Sequence, residues 1–187
     1  MPIHSVNLET SIAPASKTSS KYLFSYDLLS PEIQATLPDG LLMRPLAKTD
    51  FNNGFFECLA QLTSVGEISE DTFLDTFEAM RQTQNYYVVV IEDSTTERIV
   101  GCGTLLVEYK FIRGCAKSSH IEDIVIDDSQ RGKKLGVRMI EQLKYLSEKL
   151  NCYKVILNTN QNNIAFYEKC GLSLKDYQMS CYHSSQN

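Results

Sequence analysis

The alternation of apolar and polar positions lays out most of the chain before any motif is considered. Leu135, Met139, Leu143, Leu146 and Leu150 recur at three- and four-residue intervals, the stripe of an amphipathic helix. Just before them, Ile121 to Ile126 is rich in β-branched residues and reads as a strand that carries the acidic pair Glu122-Asp123. A polar turn, Asp127 to Gln130, and the run Arg131-Gly132-Lys133-Lys134-Leu135-Gly136 join the two. The other elements are arranged around this strand, turn and helix, from Ser119 to Leu150.

Upstream, Pro38-Asp39-Gly40 is a turn signal, and Leu41 to Leu46 reads as a first strand, with Pro45 placing it at an edge or ending it. Thr49 is positioned to cap a helix over Asp50 to Leu62, whose Phe51, Phe55, Leu59 and Leu62 share one stripe. Ser69 caps a second helix, with Phe73, Phe77 and Met80 on its core face. Tyr86 to Glu92 and Arg98 to Lys110 form an antiparallel hairpin across Asp93 to Glu97, and a loop, Phe111 to Ser118, leads to the central strand. Beyond the long helix come a buried strand, Tyr153 to Leu157, a short helix, Asn160 to Lys169, stopped by Gly171, and a last strand, Leu172 to Tyr182. Met1 to Gly40 is rich in Ser, Thr and Pro. Its first twenty residues, with Ala15 to Ser20 the most linker-like, read as flexible and the next twenty as peripheral, although Tyr22 to Leu29 is apolar enough to dock. The organisation expected is an extension, 1–40, and one domain, 41–187.

A length of 187 residues suits that single domain. A net charge of −5 leaves no broad basic face for nucleic acid or a membrane surface. The longest apolar run, Tyr86 to Ile91, is far short of a membrane span, and no signal-peptide core opens the chain. Six cysteines and three histidines are scattered without C-x-x-C or paired Cys/His spacing. No metal site or disulfide framework is therefore expected, and the cytoplasm is the expected compartment. Cys170 stands apart because Tyr167 lies close by.

The chemistry is expected where the central strand meets the helix. Unpaired N–H groups and the positive end of the macrodipole attract an anion to a helix start. Gly132 and Gly136 permit close approach to the backbone, and Arg131, Lys133 and Lys134 add positive charge. Phosphate or pyrophosphate fits such a place. The competing reading is an ordinary surface connection that happens to contain glycine and lysine. Neither the dinucleotide fingerprint nor the P-loop pattern is present.

This run resembles the acetyl-CoA loop of the GNAT acyltransferase superfamily, R/Q-x-x-G-x-G/A, with Arg131 and Gly136 in the first and last places. Lys134 stands where the first glycine is usual, a departure that backbone donation survives unless the turn needs a positive φ there. Further blocks, LTSVG at Leu62 to Gly66, KFI at Lys110 to Ile112, IEDIVI at Ile121 to Ile126, NCYK at Asn151 to Lys154 and FYEKCG at Phe166 to Gly171, resemble the glucosamine-6-phosphate N-acetyltransferase family over Leu41 to Met179. The resemblance implies an α+β GNAT fold: a mixed, twisted sheet splayed at the acetyl-CoA site and flanked by helices. It implies acetyl transfer from acetyl-CoA to the amine of glucosamine 6-phosphate, a step toward UDP-N-acetylglucosamine, by a homodimer whose final strand crosses to the partner.

By the same resemblance, the backbone of Ile124, Val125 and Ile126 pairs with pantetheine, and Arg131, Gly132, Lys133, Lys134, Leu135 and Gly136 hold the pyrophosphate. Asn163 and Tyr167, at i and i+4, point at the thioester, and Tyr167 supplies a hydrogen bond or proton to the departing thiolate. Glu122 and Asp123 hold the sugar amine and take its proton, strand alternation letting one side chain reach more easily than the other. Thr63, Lys110, Arg113 and Asn158 complete the acceptor site. The departures gather there: Asn158 replaces a usual acid, Tyr182 an arginine, and Ser118 and His120 basic residues, with Arg113 and Lys117 as compensation. They imply weaker acceptor binding or a changed acceptor. Two alternatives stay open: a GNAT enzyme for another amine, and a non-catalytic acetyl-CoA binder acting through dimerisation.

Overall fold

One mixed sheet carries the chain, its strands running in the order β1-β2-β3-β4-β5. The computed structural model describes residues 21–183. The first twenty residues, expected to be flexible, lie outside the described residues. Helix α1, Pro31–Gln34, is opened by the Ser30 hydroxyl, which accepts the Ile33 N–H. Strand β1 is Leu41–Pro45. The single helix expected over Asp50 to Leu62 is instead a 3₁₀ turn, Lys48–Asn52, then Gly54 at φ +87°, then helix α2, Phe55–Leu59. The cause is tertiary. Asp50 is fully buried, and its carboxylate takes two hydrogen bonds from the Arg44 guanidinium, at 2.8 and 2.7 Å, and one from the Ala47 N–H. Thr49 therefore caps nothing, and Leu62 is left exposed.

Helix α3, Glu70–Thr83, follows its Ser69 cap as expected and buries Phe73 and Phe77. Strands β2, Tyr86–Asp93, and β3, Arg98–Tyr109, form the hairpin. The loop after it contains a helical turn, α4, Ile112–Cys115, in which Arg113 and Gly114 are left-handed. Strand β4, Lys117–Ile126, begins earlier than its apolar run. Helix α5 is Leu135–Lys149, strand β5 is Cys152–Leu157, and helix α6 is Ile164–Lys169, preceded by a 3₁₀ turn, Gln161–Asn163. Strands β1 to β4 are antiparallel, while β5 runs parallel to β4.

The sheet has two covered faces. Helix α5 lays Met139, Ile140, Leu143 and Leu146 on Leu105, Val107 and Ile121. On the other face, α2 and α3 cover Val88, Val90, Cys102 and Val125. Residues 21–40 join this body. Leu29 is buried in the α5 layer and Leu23 in the opposite one. Hydrogen bonds tie the segment along α5: Ser30 N–H to Gln142 Oε1, Arg138 Nε to both Thr36 O and Thr36 Oγ1, and Lys149 Nζ to Asp27 O.

The C-terminal part departs from expectation. Strand β5 is not buried, and Tyr153 and Ile156 on it are exposed. No strand forms between Leu172 and Tyr182, where Leu174, Tyr177, Met179 and Tyr182 face solvent. A strand needs a ladder partner, and among the described residues the outer edge of β5 has none. Among the described residues, no helix is long and apolar enough to cross a membrane, and no group of three or more His, Cys, Asp or Glu could hold a metal ion.

Candidate active site

Strands β4 and β5 separate halfway along. Their register ends at Ile121 opposite Leu157. Beyond that point β4 keeps its partners on β3, with Val125 opposite Cys102 and Ile126 opposite Gly101, but has none on the β5 side. The β5-facing backbone groups of Ile124 to Ile126 thus form an open edge inside the sheet, to which an extended, amide-bearing ligand can add as a strand.

A β-bulge sits at the start of this edge. Asp123 and Ile124 together oppose Gly103, and Asp123 is left-handed at φ +54°. Ile121 faces α5 before the bulge; after it, Ile124 and Ile126 face α5 while Val125 turns to the opposite core. The regular alternation expected for Glu122 and Asp123 therefore does not hold, and both side chains are exposed. Gly103 makes the bulge possible, because a Cβ there would come within 2.7 Å of Ile124 Cδ1 and 2.9 Å of Met139 Cγ. An isolated glycine within a strand is the signal that could have revealed it.

The turn after β4 ends at the start of α5. Gly132 has φ +82° and Lys134, the N-cap residue, φ +57°. The turn does require a left-handed residue where Lys134 replaces the usual glycine, at some conformational cost. Arg138 N–H is the first to meet a helical acceptor, Lys134 O at 3.3 Å. The N–H groups of Leu135, Gly136 and Val137 are left for a ligand, as at any helix start without a side-chain cap. Beside them, Arg131 pairs with Asp128 at 2.6 Å, and Lys133 Nζ donates to Gln130 Oε1. Gly136 lets Phe166 of α6 approach, since a Cβ there would lie 3.3 Å from its ring. Gln61, which had no distinguishing sequence signal, locks the turn from the α2 side. It donates to Asp127 Oδ2 at 2.6 Å and accepts the Asp128 N–H at 2.9 Å.

Phe166 and Tyr167 meet edge to face at 5.1 Å. Tyr167 is half-buried, and burial, aided by the nearby Cys170 thiol, raises its pKa above the ordinary phenol value. Asn163 stands exposed at the foot of the same helix. Tyr167 lines a cavity of about 480 Å³ shared by β5, α6 and the C-terminal segment, with Lys144, Leu157, Asn158 and Leu172 among its walls. Burial raises the Cys170 thiol as well, so it is no ready nucleophile.

The acceptor residues are spread more widely. Glu122 lies 3.3 Å from His120 Nε2. Asn158 follows β5 directly, and Thr63, just past α2, is two residues from Gln61. Lys110 and Arg113 sit at the β3–β4 tip, where Lys110 pairs with Glu108 and Arg113 stacks over Tyr153. Five residues of extended strand separate the start of β4 from Glu122, about 17 Å at the rise of a strand. Within one chain these two cations do not meet the carboxylates.

A model of the acetyltransferase (GNAT) family matches residues 50–172. Glucosamine 6-phosphate N-acetyltransferase 1 of Dictyostelium discoideum is 43% identical over 151 residues, which cover 80% of this chain and 96% of that protein. The glucosamine 6-phosphate N-acetyltransferase of Arabidopsis thaliana is 43% identical over 141 residues, 75% of this chain and 95% of that one. Among solved structures, the Arabidopsis thaliana glucosamine-6-phosphate N-acetyltransferase superposes with a TM-score of 0.74 at 41% identity, covering 76% of this chain and 97% of that one. A Trypanosoma brucei acetyltransferase superposes at 0.71 with 35% identity, over 76% and 99% of the two chains.

Proposed function

The chain belongs to the GNAT acetyltransferase family, and we propose on that footing that it moves the acetyl group of acetyl-CoA to the amine of glucosamine 6-phosphate. The product is N-acetylglucosamine 6-phosphate, a precursor of UDP-N-acetylglucosamine. The observation that carries this reading is the combination of three features: an open β4 edge, free N–H groups at the start of α5, and Tyr167 on the helix whose Phe166 ring closes on Gly136 at that start. Relatives of about 40% identity with that activity support the choice of acceptor.

The residues fit the cosubstrate. Its pantetheine amides find strand partners at Ile124, Val125 and Ile126, and its diphosphate finds the Leu135 and Gly136 amides with Arg131, Gly132, Lys133 and Lys134 around them. Asn163 and Tyr167 border the thioester end. Glu122 and Asp123 hold the acceptor's ammonium group and take one proton from it, because only the neutral amine attacks. The C–N bond then forms, the C–S bond breaks, the Tyr167 hydroxyl delivers a proton to the departing sulfur, and the proton shed by the acetylated nitrogen restores the phenol. Thr63 and Asn158 border the sugar.

The active form is a homodimer with shared acceptor sites, in which residues 172–183 add to a partner's β5. Its support is the unpaired outer edge of β5 beside an exposed, apolar C-terminal segment. A partner also offers a route by which the distant Lys110 and Arg113 could reach an acceptor site.

One observation favours a different amine as the second reading: no arginine occurs after Arg138, so Arg113 and lysines would have to meet a sugar phosphate. Thiol release from acetyl-CoA, measured with glucosamine 6-phosphate, glucosamine and unrelated amines, tests both readings. Turnover restricted to glucosamine 6-phosphate is expected, and preference for another amine would replace the acceptor. Acetyl-CoA binding without turnover on any amine would overturn the enzymatic reading altogether.

A further inference from the structure

We propose that His120 is a positioning residue that acts through Glu122 and governs when that carboxylate is free to take the acceptor's proton. The inference rests on the assignment of Glu122 to the amine. His120 and Glu122 stand two residues apart on β4, before the bulge, and so project from the same side of the strand. That side is opposite α5, since Ile121 between them is packed in the α5 core. His120 is opposite Leu106 on β3 and Ile156 on β5, one position short of the place where β4 and β5 part. Its Nε2 lies 3.3 Å from Glu122 Oε1, yet that nitrogen is buried and has no aligned hydrogen bond. The ion-pair distance and the missing alignment are compatible: the atoms are close, but the angle between them is poor. A small side-chain rotation completes the bond.

The surroundings leave Glu122 as the imidazole's charged partner. On β3, Leu106 is apolar. Glu108 further along is engaged first by Lys110, at 2.5 Å, and then by the Ser118 hydroxyl, and its carboxyl is held below the usual range chiefly by that lysine, with His120 a lesser influence. On β5, Ile156 is apolar and is flanked by Lys154 and Asn158, the first of which lies near the Tyr153 ring. On β4 itself, Ser118 adds no charge. His120 is 26% exposed and Glu122 47%, so the carboxylate faces an arriving amine while the imidazole stays behind it.

The proton path is short. The ammonium group of the acceptor gives a proton to the Glu122 carboxylate, the resulting acid passes it to neutral Nε2, and the imidazolium releases it to water before the next turnover. An imidazolium already present at lower pH instead pairs with the carboxylate and keeps it from acting as a base. Turnover therefore rises as His120 loses its proton.

Two measurements on the full chain test this. In the pH profile of kcat with glucosamine 6-phosphate, the wild type is expected to show an acidic limb that depends on His120. His120→Gln cannot titrate, and it is expected to lose that limb and to lower kcat by about tenfold while KM stays within about twofold. The imidazole proton resonances of His120, titrated by NMR and assigned by their loss in the His120→Gln protein, are expected to shift in midpoint. Glu122→Gln should lower it by about half a pH unit, because the anion that favours the imidazolium is gone. A limb retained in His120→Gln, or a midpoint unmoved by Glu122→Gln, overturns the proposal. A wild type that does not acetylate glucosamine 6-phosphate would count against the acceptor assignment, and the NMR titration would still decide whether the pair is coupled.

Discussion

A phenol can serve a departing thiolate only while it keeps its proton. Burial and the Cys170 thiol both push the Tyr167 pKa upward, so the hydroxyl keeps its proton to higher pH than an ordinary phenol. Accordingly any alkaline loss of kcat attributable to this group should come at higher pH than an ordinary phenol would give, and Tyr167→Phe should lower kcat by about 100-fold with little change in KM for acetyl-CoA. Steady-state kinetics of the two proteins across pH check both statements. Asp50 shows the other kind of residue effect, on stability. Burial alone would disfavour a charged Arg44, but hydrogen bonds to Asp50 and Glu92 outweigh it and hold the guanidinium charged. Asp50→Asn leaves that buried cation short of its bidentate partner. A loss of about 3 kcal/mol is expected, read as a lower urea midpoint at unchanged slope.

At the scale of elements, the bulge in β4 is what turns a regular strand into the edge of a site. Its geometry depends on Gly103, over which Ile124, Met139 and Leu143 close. Gly103→Ala should cost about 1–3 kcal/mol through overpacking and, by displacing Ile124, weaken acetyl-CoA binding. Thermal melts with and without acetyl-CoA separate the two effects, the stabilisation by ligand shrinking along with the melting temperature. Periodicity made α3, α5 and the β2–β3 hairpin legible, since each satisfies its backbone locally or through its sequence neighbour and shows one clear apolar face. It could not show the break at Gly54. The Phe51, Phe55 and Leu59 stripe is truly helical in spacing, but Asp50 is drawn into an ion pair with a residue on β1. Similarly, Ile121 to Ile126 announced a strand and gave no sign of the left-handed Asp123 that re-registers it.

For the whole molecule, the C-terminal segment decides how the chain is completed. With Leu174, Tyr177, Met179 and Tyr182 exposed beside the free edge of β5, light scattering is expected to find a dimer. Deletion of residues 174–187 should give a monomer that still binds acetyl-CoA but releases no thiol with glucosamine 6-phosphate. A monomeric full-length chain would remove the case for shared sites. Residues 21–40 behave in the opposite way, packing along α5 through Leu29 and four hydrogen bonds although their composition has no sustained period. The sequence by itself determined the succession of strands and of the longer helices as far as α6, the basic glycine loop before a helix and the tyrosine placed on a short helix, because these follow from local periodicity and from residue types needed at helix starts. Only the tertiary structure decided where β4 and β5 part, which side of β4 each residue takes after the bulge, and that β5 ends the sheet. Those outcomes depend on contacts between residues far apart in the chain, such as Gly103 with Ile124 and Met139, which no local pattern encodes.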